Sequence, residues 1–521
     1  MKPNLKMLIF LFSLLSEMSI IKAQQLRYVQ QQTSNGIVEG VVSPDNKVRT
    51  FKGIPYAAPP VGLLRWKAPQ PVKQWSGVLR TVDYPKRAMQ GRIYSDMIFN
   101  DQGPSEDCLY LNLWMPENHP QGKLPVMVWI HGGGFVAGSS SEPRQDAGNL
   151  SKKGVMVVSF NYRLGVFGFF AHPELTKESE HNASGNYGLL DQVAALQWVK
   201  DNIAVFGGDP DNVTIFGESA GSSSVSALMA SPLAKGLFKK AIGESGSFLK
   251  LSGSLKSRSD AEKAGVEFAE KAFGSSSLET LRLLPANQIL DAALKVPRET
   301  FSQDIDGYFL PTDCMSIFAS GDQSHVALLA GWNKDEGNYK TFFKNENPTI
   351  ENFVTHANSR LGGNAELFLK VYPAETDSGA KRAAQDFEGD QFTGYSTWKW
   401  IEMQLKTGDS PVYRYEFDQD LPFDKEPSAP HASEIEFVFM VLSSRDLPWR
   451  QEDYKISDLM ASYWTNFAKT GNPNGPDLPV WPEYKSSIGY QVMHIGGAKP
   501  GASQDKNRDR YEFLDHVSIH Y

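Results

Sequence analysis

Val213 to Leu228, VTIFGESAGSSSVSAL, is the stretch that most limits what this chain can become. Val213 to Phe216 suit a buried strand. A tight turn follows through Gly217-Glu218-Ser219-Ala220-Gly221, and Ser222 to Met229 can continue as a helix. Glycine two before and two after a serine is G-x-S-x-G, and strand–turn–helix is the setting of a nucleophile elbow. That setting predicts strained backbone at Ser219, with its hydroxyl lifted clear of a sheet. A β-carbon at either flanking glycine would crowd a neighbouring strand or helix. With 44 glycines in the chain the bare pattern also arises by chance. The weight therefore rests on the setting and on what the rest of the chain supplies.

The surrounding segments predict an α/β fold: a mostly parallel central sheet covered by helices on both faces. Leu124–Ile130 and Val155–Phe160 are continuous apolar runs of the kind buried on both faces. Gly188–Ala204 carries Leu189, Val193, Leu196, Val199 and Ile203 at helical spacing. Gly36–Phe51 reads as a β-hairpin, and 109–114, 326–331 and 412–417 read as strands. Helices are expected over 261–273, 277–294, 350–372, 380–406 and 456–468, with two short closing strands near 490–495 and 511–517. No internal repeat or low-complexity linker divides the chain. The expectation is one domain over 24–521.

A serine hydroxyl is a poor nucleophile until a base takes its proton, and the base is usually a histidine oriented by a carboxylate. In elbow folds the chain order is serine, acid, histidine. His431 sits in a loop just after a candidate strand, where such a base belongs. His356 falls in a predicted helix, and His494, His516 and His520 fall in the terminal strands or tail. For the acid, Asp335 and Glu336 both follow the 326–331 strand, and spacing alone does not choose between them. His131-Gly132-Gly133-Gly134 after the 124–130 strand is an HGGG-type donor loop. The amides of Gly133, Gly134 and Ala220 are the candidate oxyanion donors.

A net charge of −8 without a basic stripe gives no sign of a nucleic-acid partner. Residues 1–23 read as a cleavable signal peptide: Lys2 and Lys6, an apolar run from Met7 to Leu15, and a small residue at Ala23. That run is too short to span a bilayer, so the expected product is secreted or periplasmic. Cys108 and Cys314 are the only cysteines, and two buried free thiols are expected.

Taken together, FKGIPYAAPPVGLLRW, SEDCLYLNLW, PVMVWIHGGGF, NYRLGVFGF, GNYGLLDQVAALQWVKDNIAVFGGDPDNVTIFGESAG, GWNKDEG, HASEIEFVF and NFAKTGNPN resemble the type B carboxylesterases. This family includes cholinesterases and bacterial para-nitrobenzyl esterases. The resemblance implies an α/β-hydrolase fold with a gorge over the sheet and a small-molecule ester substrate. It implies no metal and no cofactor, and a monomer or weak homo-oligomer is expected. It makes Glu336 the acid and His431 the base, and places Glu218 and Phe135 at the gorge. It also marks Arg65 with Glu106, and Arg163 with Asp191, as structural ion pairs. Ala88 stands where the family usually has a cysteine bridged to the one at Cys108, so Cys108 is expected unpaired. That loop also lacks the tryptophan with which cholinesterases bind choline, which argues against choline esters. Two other readings fit some of these features: a catalytically silent binding or adhesion protein, and an amide or carbamate hydrolase.

Overall fold

The structure, a computed structural model, describes residues 26–118, 122–249, 255–422, 428–497 and 499–518. The predicted signal peptide and His520 lie outside the described residues.

The main sheet has 13 strands. In chain order they are β1 (Arg27–Gln32), β2 (Ile37–Val42), β3 (Val48–Pro55), β4 (Val78–Arg80), β5 (Tyr110–Pro116), β6 (Leu124–Ile130), β7 (Met156–Phe160), β8 (Gly208–Glu218), β9 (Lys240–Glu244), β10 (Ala327–Asn333), β11 (Val412–Phe417), β12 (Gln491–Ile495) and β13 (Gly501–Gln504). Across the sheet the order is β1-β2-β3-β5-β7-β6-β8-β9-β10-β11-β12-β13, with β4 beside β2. From β7 to β12 every pair is parallel. The two margins are closed by antiparallel pairs.

Alternation along the strands builds two cores. In β6, Val126, Val128 and Ile130 face one core, where Leu196 and Val199 of α1 (Tyr187–Asn202) and Val225 and Leu228 of α2 (Ala220–Ala230) also pack. Met127 and Trp129 face the other, with Met460, Trp464 and Phe467 of a long helix, Gln451–Thr470. Both faces are covered, which is why these strands read as unbroken apolar runs. After β6 the chain crosses to β7 on one side and then to β8 on the other. In an open parallel sheet the crevice at such a switch point is where ligands bind, at the carboxyl ends of the strands. Ile130 of β6 pairs with Gly217 of β8, so the HGGG loop and the elbow leave the sheet side by side.

Two sequence expectations need correction. Residues 511–517 form no strand; they belong to the helix Arg508–Ser518. Tyr511, Leu514 and Val517 are all buried, a three-residue spacing that suits one helical face. The partner of β12 is instead β13. The expected helix over 277–294 is two helices, Leu278–Leu283 and Ala286–Ala293. Pro285 holds Leu284 extended, with ψ at 140°, and ends the first. The stretches 350–372 and 380–406 are largely helical, as expected, and each is segmented. Asp390–Gly394 is a π-turn between Asp377–Gly389 and Tyr395–Thr407, and 350–372 is likewise interrupted at Gly362–Asn364.

Candidate active site

Ser219 stands between β8 and α2 with φ 55° and ψ −117°, a backbone that L-residues seldom adopt. The neighbours that hold it there are backbone atoms. The Ser219 amide donates to the Glu244 carbonyl at 2.8 Å, and the Ser219 carbonyl accepts from Ser223 at 2.9 Å. A β-carbon on Gly221 would lie 1.9 Å from the Ile130 carbonyl oxygen, and one on Gly217 would lie 2.6 Å from it. Only glycine allows β6, the turn and α2 to close this tightly.

His431 follows β11 and a loop; Glu336 follows β10. Nδ1 of His431 lies 2.6 Å from Oε2 of Glu336. The other Glu336 oxygen accepts from the Ser245 hydroxyl at 2.6 Å and the Asn333 amide at 3.0 Å. Asp335 points elsewhere: it accepts from Arg382 at 2.5 Å and from the Ala429 amide at 2.8 Å. The structure therefore brings together His431 and Glu336, and gives Asp335 to a structural ion pair.

Glu218 was expected to line the gorge and to help with electrostatics. It is 2% exposed and stands directly before Ser219. Its Oε1 lies 3.1 Å from Nε2 of His431. His431 thus sits between two carboxylates. Burial alone would depress its pKa, but Glu336, Glu218 and Glu434 outweigh burial and push it up to about 10. Burial raises Glu218 to about 7, against the pull of His431 and Arg144. Burial also acts on Glu336, yet His431, Ser245 and Asn333 together hold its carboxyl below the ordinary value.

The donor loop packs directly on the elbow. A β-carbon on Gly132 would meet the Glu218 carbonyl oxygen at 2.8 Å and the Ser219 β-carbon at 3.2 Å. Gly133 and Gly134 have φ of 101° and 63°, left-handed conformations that glycine adopts without strain. Among the described residues, the amides of Gly133, Gly134 and Ala220 donate to no backbone carbonyl outside helices and strands. His131 supports the loop from behind. It is stacked on Tyr162 at 4.4 Å, and burial pushes its pKa down to about 4, so it stays neutral.

A cavity of about 210 Å³ opens over Ser219. Phe135, Phe248, Phe301 and Phe392 form its apolar walls, and Arg298 and Glu299 bring charge to it. Of the aromatic residues in the 350–406 stretch, Phe353, Phe368, Tyr395, Trp398 and Trp400 are buried in the core, but Phe392 is 49% exposed. Its ring centroid lies 4.9 Å from that of His431. The π-turn places it there, and periodicity carried no sign of that turn. Sequence reasoning also missed Ser245 and Arg298, which belong to no quoted motif, and gave no role to Glu434, which lies within HASEIEFVF.

The two expected ion pairs are both bidentate. Arg65 meets Glu106 at 2.6 and 2.7 Å, and Arg163 meets Asp191 at 2.8 and 2.7 Å. Cys108 and Cys314 are free and buried; Ala88 and Cys108 line one small cavity. Among the described residues, no group of three or more His, Cys, Asp or Glu is placed to hold a metal, and no helix is long and apolar enough to cross a membrane.

The profile of the Carboxylesterase family matches residues 28–514. Fumonisin B1 esterase of Sphingopyxis macrogoltabida is 36% identical over 483 residues, covering 87% of this chain and 84% of that protein. Carboxylesterase 1C of Rattus norvegicus is 34% identical over 502 residues, covering 91% and 89%. A solved PNB esterase is 35% identical and superposes with a TM-score of 0.77 over 93% of this chain and 99% of that one. The fold is the α/β-hydrolase fold of these esterases, and the chain belongs to the carboxylesterase family, as a carboxylic-ester hydrolase.

Proposed function

We propose that this protein is a secreted serine carboxylesterase that works through an acyl-enzyme, within one domain spanning 24–521. The observation that carries the proposal is the 2.6 Å contact between His431 and Glu336, with the other ring nitrogen against Glu218, the residue before a serine in an elbow that only glycine permits. In the reaction Nε2 of His431 turns from Glu218 to the Ser219 hydroxyl. It takes that proton as Oγ bonds to the ester carbonyl carbon. The amides of Gly133, Gly134 and Ala220 receive the negative oxygen; losing one such donor typically raises a barrier by about 3–4 kcal/mol. His431 then gives its proton to the departing alkoxide, and the acyl–Ser219 ester remains. A water, deprotonated by His431, attacks that ester and restores the serine. Glu336 keeps Nδ1 protonated and stabilises the imidazolium throughout. No metal or cofactor enters. The natural assembly is a monomer or weak homo-oligomer.

The test is hydrolysis of para-nitrophenyl acetate and butyrate by wild type and Ser219→Ala, with fluorophosphonate labelling of both. Activity and labelling should vanish together in the variant. A folded wild type that neither turns over nor labels would replace this reading with that of a binding protein. N-terminal sequencing of the protein exported by its host should begin near Gln24; an intact Met1 would refute secretion by signal cleavage.

A further inference from the structure

The catalytic cavity contains one pair of charges that the ester-hydrolysis chemistry does not use. Arg298 and Glu299 both line it, and Arg298 is the one cation among its described lining residues. The Arg298 guanidinium stands over the donor loop. A β-carbon placed on Gly134 would meet the Tyr94 hydroxyl at 3.0 Å and Nη1 of Arg298 at 3.8 Å. Nε of Arg298 donates to Glu299 at 2.8 Å. The two side chains are 64% and 68% exposed, and an exposed pair between sequence neighbours contributes little to stability. It is easily exchanged for another carboxylate, and a guanidinium fork is shaped to receive one on two parallel bonds.

The geometry of the reaction says which end of a substrate would bring that carboxylate. The leaving oxygen must face His431, whose ring is flanked by Phe392. The alcohol part therefore lies along Phe392 and Thr393. The acyl chain is left with the rest of the lining, which includes Arg298, Glu299, Phe301, Ser302 and Gln303. We propose that Arg298 selects esters whose acyl chain ends in a free carboxylate, that is, monoesters of dicarboxylic acids, with Glu299 holding the guanidinium until such a substrate displaces it. This rests on the serine-esterase reading above and adds the substrate class.

Matched pairs of alkyl esters test it, followed by pH-stat at low ionic strength. Monoethyl succinate is compared with ethyl 4-methylpentanoate, its uncharged isostere. A carboxylate on the alcohol side is tested by comparing 3-acetoxypropanoate with 3-methylbutyl acetate. The wild-type kcat/KM ratio for the acyl-side pair should favour the anion by about tenfold, close to 1.4 kcal/mol, and should fall as salt is added. In Arg298→Leu that ratio should drop to about one. Arg298→Lys should keep part of it, Arg298→Glu should invert it, and Glu299→Gln should raise it. A wild-type ratio near one, a ratio that survives Arg298→Leu, or an equal Arg298-dependent preference in the alcohol-side pair would overturn the proposal. Those results leave turnover in place and speak to Arg298 alone. Turnover that persists in Ser219→Ala would instead overturn the reading on which it rests.

Discussion

Arg163, just beyond β7, and Asp191 of α1 bury a pair of charges with every polar atom engaged, whereas the carboxylates around His431 bury theirs with oxygens left over. In the first set the guanidinium meets both Asp191 oxygens at 2.8 and 2.7 Å, and donates to the Lys67 carbonyl at 2.7 Å. The Arg163 amide adds a further bond to Asp191 at 3.0 Å. In the second set, Glu218 and Glu336 flank a single imidazole, Glu434 adds its charge to theirs, and Glu244 lies within electrostatic reach of Glu434 and Glu218. Oε2 of Glu244 and Oε1 of Glu434 have no hydrogen-bond partner among the described residues.

Burial lifts the carboxyl of Asp191, as it lifts those of Glu218, Glu244 and Glu434, but one cation answers one anion there. Around His431 the excess negative charge is managed by holding protons. Burial, Glu218 and Glu336 raise Glu434 to about 8. Burial and Glu434 raise Glu244 well above the carboxylate range, although Trp464 donates to it at 2.7 Å. Structural burial of charge is balanced atom by atom. At the proposed catalytic site the imbalance sets an imidazole and carboxylates with displaced pKa values side by side, an arrangement suited to an acid–base catalyst.

The largest consequence expected is in rate. Glu336→Gln keeps the size of the side chain and removes the charge that sets the His431 tautomer. It should lower kcat by about 10⁴-fold while the thermal midpoint of unfolding moves by no more than a few degrees. Steady-state kinetics beside calorimetry would check both; a small kinetic effect with a large loss of stability would put Glu336 in the structural class.

Asp191→Asn should do the reverse. It strands a buried guanidinium, and breaking such a pair from one side costs about 3–5 kcal/mol of folding stability. The protein that remains folded, counted by fluorophosphonate titration, should turn over para-nitrophenyl butyrate at the wild-type kcat. A lowered kcat per labelled site would show that the pair reaches into the chemistry.

The smallest effect separates two neighbours of one histidine. Glu218 raises the pKa of His431, so Glu218→Gln should lower it. Only neutral imidazole accepts the Ser219 proton. The acid limb of kcat/KM should therefore lie above the ordinary imidazole range in wild type and shift to lower pH in the variant. An unmoved limb would mean that Glu218 does not control the proton on Nε2.

Much of this was legible in the chain. The elbow, the donor loop and the parallel strands announce themselves locally, because each needs particular residues within a few positions: glycines where the backbone must approach closely, apolar runs where both faces are covered. The terminal helix was not legible as such, since YEFLDHV satisfies a strand period as readily as a helical one. The π-turn that brings Phe392 to His431 escaped too. It adds one residue to a turn without changing the apolar pattern that a reader can follow.

The sequence by itself determined the strand order's raw material and the strained serine, because those constraints are short-range and steric. It also narrowed the acid to Asp335 or Glu336. Only the tertiary structure decided between them by geometry, since Arg382 lies 47 positions from Asp335 and His431 lies 95 from Glu336. It alone decided that Glu218 lies under His431 and that Arg298 overhangs Gly134. Electrostatic partners are set by distance in space, and folding brings together residues whose separation along the chain carries no trace of it.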